Sequence, residues 1–212
     1  MRTVLTVLTV LTVPTFGDAQ GTPKPKVPAI PLATAGLAGQ SVAVLPLTML
    51  VADSRVPGTA GPVARASLLR WADSLLGDAL SERAPEVAWV LPPALRTTAR
   101  RAAGLMPGPD RMGQAVMRAP NLKEVPDPLR SHLRQMLGLA GGARFALIPA
   151  AFGLASVGPG GDSLEVQLSA VLADGRLGRV VWRTLAVGRG ESADQAYRAA
   201  LATLFVPDPA SP

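Results

Sequence analysis

Residues 164–187, LEVQLSAVLADGRLGRVVWRTLAV, decide how the rest of the chain reads. Leu164, Val166, Leu168, Ala170 and Leu172 alternate with Glu165, Gln167 and Ser169, the period of two that a half-buried strand requires. Asp174-Gly175-Arg176-Leu177-Gly178 then supplies turn residues. The return run, 179–187, carries the β-branched and aromatic residues of a second strand and is expected to end at the breaker Gly188-Arg189-Gly190. Two paired antiparallel strands are therefore the anchor of the fold.

Working back toward the N-terminus, residues 144–152 (RFALIPAAF) read as a strand preceding the flexible turn 158–161. Residues 127–139 read as a helix, with Asp127 as N-cap, Pro128 at the first position and Leu129, Leu133, Met136 and Leu137 on one face. Gly138, Gly141 and Gly142 follow as its C-cap. Residues 106–128 hold five prolines and few periodic apolar positions. They read as an excursion with one helical turn near 112–117 and as a partner-facing loop. Residues 94–105 form a helix bearing Arg96, Arg100 and Arg101, and 86–91 (EVAWVL) form a strand. Residues 64–83 form the clearest helix, with Leu68, Leu69, Ala72, Leu75, Leu76, Ala79 and Leu80 as its apolar stripe and Asp73 off it. Residues 41–47 (SVAVLPL), extended toward Val51, are the first strand, with Pro46 suited to an end or an edge. Beyond the hairpin, 192–205 form a closing helix with Ser192 and Gln195 as a capping box.

This order implies an α/β class: a mixed parallel and antiparallel sheet of about five strands, packed by three or more helices in a two- or three-layer sandwich. It occupies residues 41–206. Residues 1–19 read as a signal peptide, with Arg2, a short apolar run and small residues ahead of cleavage after Ala19. A β-prone strand or a retained anchor is the alternative. Residues 20–40 read as an extended, mobile, proline-rich linker, and 207–212 as a disordered tail.

Composition narrows the chemistry. With 48% hydrophobic and 17% charged residues, the chain is built to bury a core. It has no cysteine, which removes disulfides, thiolate nucleophiles and a lipid-attachment cysteine, and its single histidine, His132, rules out a multi-histidine metal site within one chain. No GxSxG, HExxH, Walker-A or EF-hand pattern is present, so no catalytic residue, metal ligand or cofactor is assigned. Asp53, Asp110, Asp174 and Glu191 lie beside Gly, Pro or Ser in turns, where carboxylates cap backbone N–H groups. The net charge of +6 contains no run of five like charges, which argues against nucleic acid as a partner. Arg96, Arg100 and Arg101 are the candidate anion-binding group, and a basic surface that binds nucleic acid or another anionic polymer or lipid is the alternative function.

One resemblance adds to this reading. The pieces Val42-Ala43-Val44-Leu45-Pro46-Leu47, the helix from Ala64, Gly142-Ala143-Arg144-Phe145-Ala146-Leu147-Ile148 and Asp174…Gly178-Arg179-Val180-Val181-Trp182 are arranged as in a group of bacterial envelope domains. The chain resembles the TolB amino-terminal domain, the curli secretion-channel (CsgG-like) lipoproteins and the LpoB-type activators of penicillin-binding proteins over residues 41–205. It differs in having no lipobox cysteine, a proline-rich middle and no transmembrane-hairpin insert, so the resemblance does not extend to lipid anchoring or pore formation. What it implies is a non-enzymatic, periplasmic or secreted domain with an envelope protein as partner, touching membrane only peripherally or through a retained signal. Asp174, Gly178 and Trp182 are the structural hairpin residues in that pattern, with Trp182 expected under the final helix.

Overall fold

The computed structural model describes residues 30–158 and 161–205. The expected signal, its cleavage after Ala19, the first half of the expected linker and the tail from 207 lie outside them. The described chain forms a mixed sheet of six strands: β1 (Ser41–Val44), β2 (Leu50–Ala52), β3 (Ala88–Val90), β4 (Phe145–Val157), β5 (Ser163–Asp174) and β6 (Arg179–Gly190). Four helices pack on it: α1 (Pro62–Arg83), α2 (Pro92–Arg101), α3 (Leu129–Leu139) and α4 (Ala193–Ala202). The order across the sheet is β3-β1-β4-β5-β6. β1 lies parallel to β3 and β4, whereas β4, β5 and β6 are antiparallel.

The expected first strand is two. β1 pairs with the start of β4 and β2 with its later part, Leu50 opposite Phe152, so both lie along the same side of one long strand. Pro46 falls in the gap between them, where a residue without an N–H cannot serve a ladder. Pro149 has the same consequence inside β4: the register shifts between Pro149 and Ala151, a bulge that lets the strand continue through 13 residues rather than stop at Phe152.

Alternation sorts the strand residues onto two faces. Val42, Val44, Leu147, Phe152, Val166, Leu168, Ala170 and Leu172 face α1 and α4. Ala43, Leu45, Ala146, Ile148, Val171 and Ala173 face α2, α3 and the segment between them. The fold is thus the three-layer form of the sandwich. On the first side Trp71, Phe152 and Tyr197 form an aromatic group, with the Phe152 and Tyr197 rings 4.9 Å apart edge to face. The buried Tyr197 hydroxyl donates to the Ala72 carbonyl at 3.2 Å, tying α4 to α1.

Four expectations change. Gly188 and Gly190 do not break the strand, for β6 runs through both. They let α4 approach: a Cβ on Gly188 would overlap the Ala196 carbonyl oxygen and the Ala200 nitrogen. Residues 30–40 are not a mobile linker: Leu32 and Leu37 are buried, Leu32 bridges Phe205, and Thr34–Leu37 form a 3-10 turn. Trp182 packs against that segment rather than under α4, its Nε1 donating to the Ile30 carbonyl at 2.9 Å. The N-cap of α3 is Pro128 in a helical conformation with no side-chain cap, and Asp127 instead accepts from the Ser131 hydroxyl at 2.9 Å.

The excursion 106–128 also departs from expectation. It holds two single-turn 3-10 helices, Pro109–Arg111 and Gln114–Arg118, and buries Met112, Met117 and Val125 against the second face of the sheet. Buried Gln114 fixes it there, its Nε2 donating to the carbonyls of Pro46 (3.0 Å) and Pro109 (2.8 Å). The excursion therefore roofs the sheet with one side, while Arg111, Val116, Arg118 and Lys123 remain exposed on the other.

Candidate functional site

The roof is shorter than the floor. β4, β5 and β6 run 12 or 13 residues, about 40 Å at 3.3 Å per residue. α1, with 22 residues, spans about 33 Å and with α4 and the 30–37 segment covers the first face. On the second face α2 and α3 have 10 and 11 residues, about 15 and 16 Å, and the excursion adds only short 3-10 segments. The described residues leave the far half of that face open. It forms a groove of about 530 Å³ whose floor is two neighbouring cross-strand rows. One runs Val51–Gly153–Gln167 and the other Ala151–Ser169–Leu185.

Three of the floor residues, Ala151, Gly153 and Ser169, are small, and Gln167 is the one long polar side chain in the two rows. Val51 is 48% exposed beside them. Arg118 and Pro120 form the wall on the excursion side, and Arg183 stands where roofed and open parts meet. Arg183 Nη1 donates to the Met117 carbonyl and Nη2 to that of Leu122 (3.2 Å), which straps the excursion to β6. Burial of this guanidinium lowers its pKa, and it has no carboxylate partner among the described residues. Farther along the same face Glu165 pairs with Arg189 at 2.7 Å and accepts from Gln167 Nε2 at 2.8 Å.

A second cluster lies beyond the carboxyl end of β1, in a crevice of about 430 Å³ that includes Leu47, Arg70, Asp73, Arg96 and Asp110. Because β3 and β4 flank β1 on opposite sides, this is the switch point of the parallel strands, where open α/β sheets form crevices. Asp73 Oδ1 accepts from the Leu47 N–H at 2.7 Å, and Oδ2 accepts from Arg96 Nη2 at 3.3 Å. Arg96 also grips Asp110, Nη2 to Oδ1 at 2.8 Å and Nε to Oδ2 at 3.0 Å. Burial pushes the Asp73 carboxyl up to about 6, although the Leu47 N–H and the Arg96 guanidinium both pull it down. The cluster joins α1, the end of β1, α2 and the excursion. Its hydrogen-bonding groups are engaged with one another, so it acts as a clamp.

These contacts settle where the sequence-selected residues stand. Arg96 points into the clamp, Arg100 donates to Thr97 of its own helix at 3.0 Å, and Arg101 is exposed. Arg96 and Arg100 thus have different partners. Asp110, read as a turn cap, is instead the outer carboxylate of the clamp. Asp53 does cap a turn, accepting from the Arg55 N–H at 3.0 Å. His132 is half-buried on α3 and makes no side-chain hydrogen bond among the described residues. No group of three His, Asp or Glu side chains suited to a metal occurs among the described residues.

The hairpin residues have structural roles. Asp174 Oδ1 accepts from the N–H groups of Arg176 (2.9 Å) and Leu177 (3.0 Å), and Oδ2 accepts from Arg144 Nε at 2.8 Å. Burial alone would raise this carboxyl, but those donors outweigh it and hold it below the usual carboxylate range. Gly178 takes φ +70°, and a side chain there would run into Arg130, whose Nη2 donates to the Leu177 carbonyl at 3.1 Å.

Sequence reasoning missed Asp73 and the groove. Asp73 stood four residues after Leu69 and three before Leu76, on the apolar stripe by spacing, and its charge alone placed it outside. The groove residues carried no motif.

No protein-family model matches the chain, and no curated protein matches it either. Among solved structures it is similar to the LpoB C-terminal domain from Escherichia coli, with 15% identity and a TM-score of 0.38 over 71% of this chain and 83% of that one. It is also similar to lipoprotein GNA1162 from Neisseria meningitidis, with 17% identity and a TM-score of 0.35 over 71% and 80%. PelC from Paraburkholderia phytofirmans, solved as a dodecamer, gives 16% identity and a TM-score of 0.37 over 83% and 92%. An LpoB-type likeness is present among these structures, whereas likeness to the TolB amino-terminal domain or the curli channel family is not shown.

Proposed function

We propose that this chain is a non-enzymatic interaction domain of the bacterial envelope, placed in the periplasm or secreted, which binds a protein partner in the open groove on the second face of its sheet. The observation that carries this reading is the groove: about 530 Å³ over a largely apolar floor that the described residues leave uncovered, on a sheet otherwise roofed on both sides. A covered strand face needs apolar residues, and a solvated one tolerates long polar ones. A floor of Ala151, Gly153 and Ser169 beside exposed Val51 suits a surface covered only when a partner arrives. The signal-like residues 1–19 support the location, and the clamp at Asp73 supports a role in rigidity rather than turnover.

The test is site-specific photocrosslinking in the native host. A crosslinker replacing exposed Gln167 is expected to capture one discrete protein in the periplasmic or secreted fraction, and one replacing exposed Val63 on α1 is not. Ser169→Trp, which fills the groove without entering the core, is expected to abolish the Gln167 product with the melting temperature unchanged. Equal capture from Val63, or capture that survives Ser169→Trp, would overturn the reading.

A further inference from the structure

The chemistry of the groove is specific enough to describe what enters it. We infer that the groove takes a partner segment presenting an apolar side chain beside a carboxylate, and that Arg118 pairs with that carboxylate. This rests on the protein-binding reading above and adds the partner's chemical class to it.

Charge complementarity carries the inference. The residues lining the groove include two arginines, Arg118 and Arg183, and no Asp or Glu among the described residues. Arg118 is exposed and has neither an ion pair nor a side-chain hydrogen bond among the described residues, and of the exposed arginines in that state it is the one that lines the groove. Arg183 is half-buried on two neutral carbonyls, so its charge also acts without a counter-ion. Among the described residues, two cations without a counter-ion thus border one largely apolar floor. A cation near a low-dielectric surface attracts an anion more strongly than the same cation in open water. Glu165, the nearest acid along the strand face, is held by Arg189 and Gln167 and leaves the Arg118 side of the groove to an incoming group.

The apolar requirement is separate from the charge. Val51, Ala151 and Leu185 line the floor together with the Cα of Gly153, so a branched or aromatic side chain loses water on insertion. A fully polar polyanion gains nothing there, which separates this site from a nucleic-acid surface. The groove has the volume of a small-ligand site, enough for one or two side chains rather than a folded domain. The partner therefore enters with a protruding segment, and the rest of the contact lies on the rim.

The experiment uses the full chain and fluorescein-labelled peptides of alternating Leu and Glu, with Leu/Gln and Leu/Lys versions as controls, read by fluorescence anisotropy. The Leu/Glu peptide is expected to bind, the Leu/Gln peptide to bind about tenfold more weakly, and the Leu/Lys peptide not to bind. Arg118→Glu is expected to weaken Leu/Glu binding by more than tenfold and to leave the melting temperature unchanged, because Arg118 has no partner among the described residues. Arg118→Lys is expected to restore most of the affinity, and added salt to reduce it. Equal binding of the three peptides, equal affinity in wild type and Arg118→Glu, or no peptide binding would overturn the inference. Arg118-dependent binding to phosphatidylglycerol vesicles without peptide binding would also overturn it and assign the site to a lipid. Capture at Gln167 that persists in Arg118→Glu would overturn the acidic chemistry while leaving the protein-binding reading standing.

Discussion

The two faces of this sheet are built from the same strands, yet one is closed and the other is half open. β5 shows the contrast within one element. Val166, Leu168, Ala170 and Leu172 are buried under α1 and α4 along its whole length. On the opposite face only Val171 and Ala173 are buried, while Ser169 is half-exposed and Gln167 exposed. The cause is reach. A 22-residue helix matches the long strands, whereas helices of 10 and 11 residues and a proline-rich excursion stop midway. A strand longer than its cover exposes a face, and small residues at the uncovered end turn that face into a groove.

The sharpest way to break this contrast is to place the same kind of change on each face. Gly188→Leu on the closed face would drive a side chain into the backbone of α4, and an expected loss of about 4 kcal/mol follows, read by chemical denaturation. A variant as stable as wild type would show that α4 does not pack on Gly188 as described.

Next in size are two carboxyl groups whose pKa shifts run in opposite directions. Asp73 has a folded pKa raised from 3.8 to about 6, so the folded state holds its proton more tightly than the unfolded chain. Its contribution to stability is greatest at low pH and falls as pH rises from 3.8 through about 6, by about 2 to 3 kcal/mol in all. Asp73→Asn, which keeps an acceptor for the Leu47 N–H, should flatten that fall in a stability-versus-pH profile. Asp174 has a folded pKa below 3.8, so its contribution is present above that value and disappears as pH drops through the folded pKa. Asp174→Asn should remove the acid-side loss alone. Identical profiles for wild type and the Asp73 variant would remove the buried clamp carboxylate from the account.

The smallest effect belongs to the open face. Gly153→Ala places a Cβ 3.3 Å from the Cβ of Gln167 and meets no helix, so a change within about 0.5 kcal/mol is expected. A loss comparable to that of Gly188→Leu would mean that something in the fold covers the groove.

Much of this architecture was legible because it is local. The alternation of residues 164–172, the Asp174–Gly178 turn, the stripe of α1 and the Ser192 cap each depend on residues a few positions apart. The cap appears as expected, with Ser192 Oγ accepting from the Gln195 N–H at 3.2 Å. The illegible parts depend on distant partners. Arg96 looked like one of a basic trio until Asp73, 23 positions earlier, and Asp110, 14 positions later, were brought to it. Gly188 and Gly190 have the composition of a breaker, and only the approach of α4 makes them part of a strand. Trp182 found its partner in Ile30, 152 positions away.

The sequence by itself determined the order of elements, the α/β class, the two-faced alternation of the strands and the turn chemistry of the hairpin, because periodicity, capping and glycine or proline geometry act over a turn of helix or a few strand residues. The tertiary structure alone decided how far each face is roofed, which charges are neutralised and which remain at the groove. Those outcomes depend on the relative lengths and docking of elements far apart in the chain, and no short-range pattern encodes them.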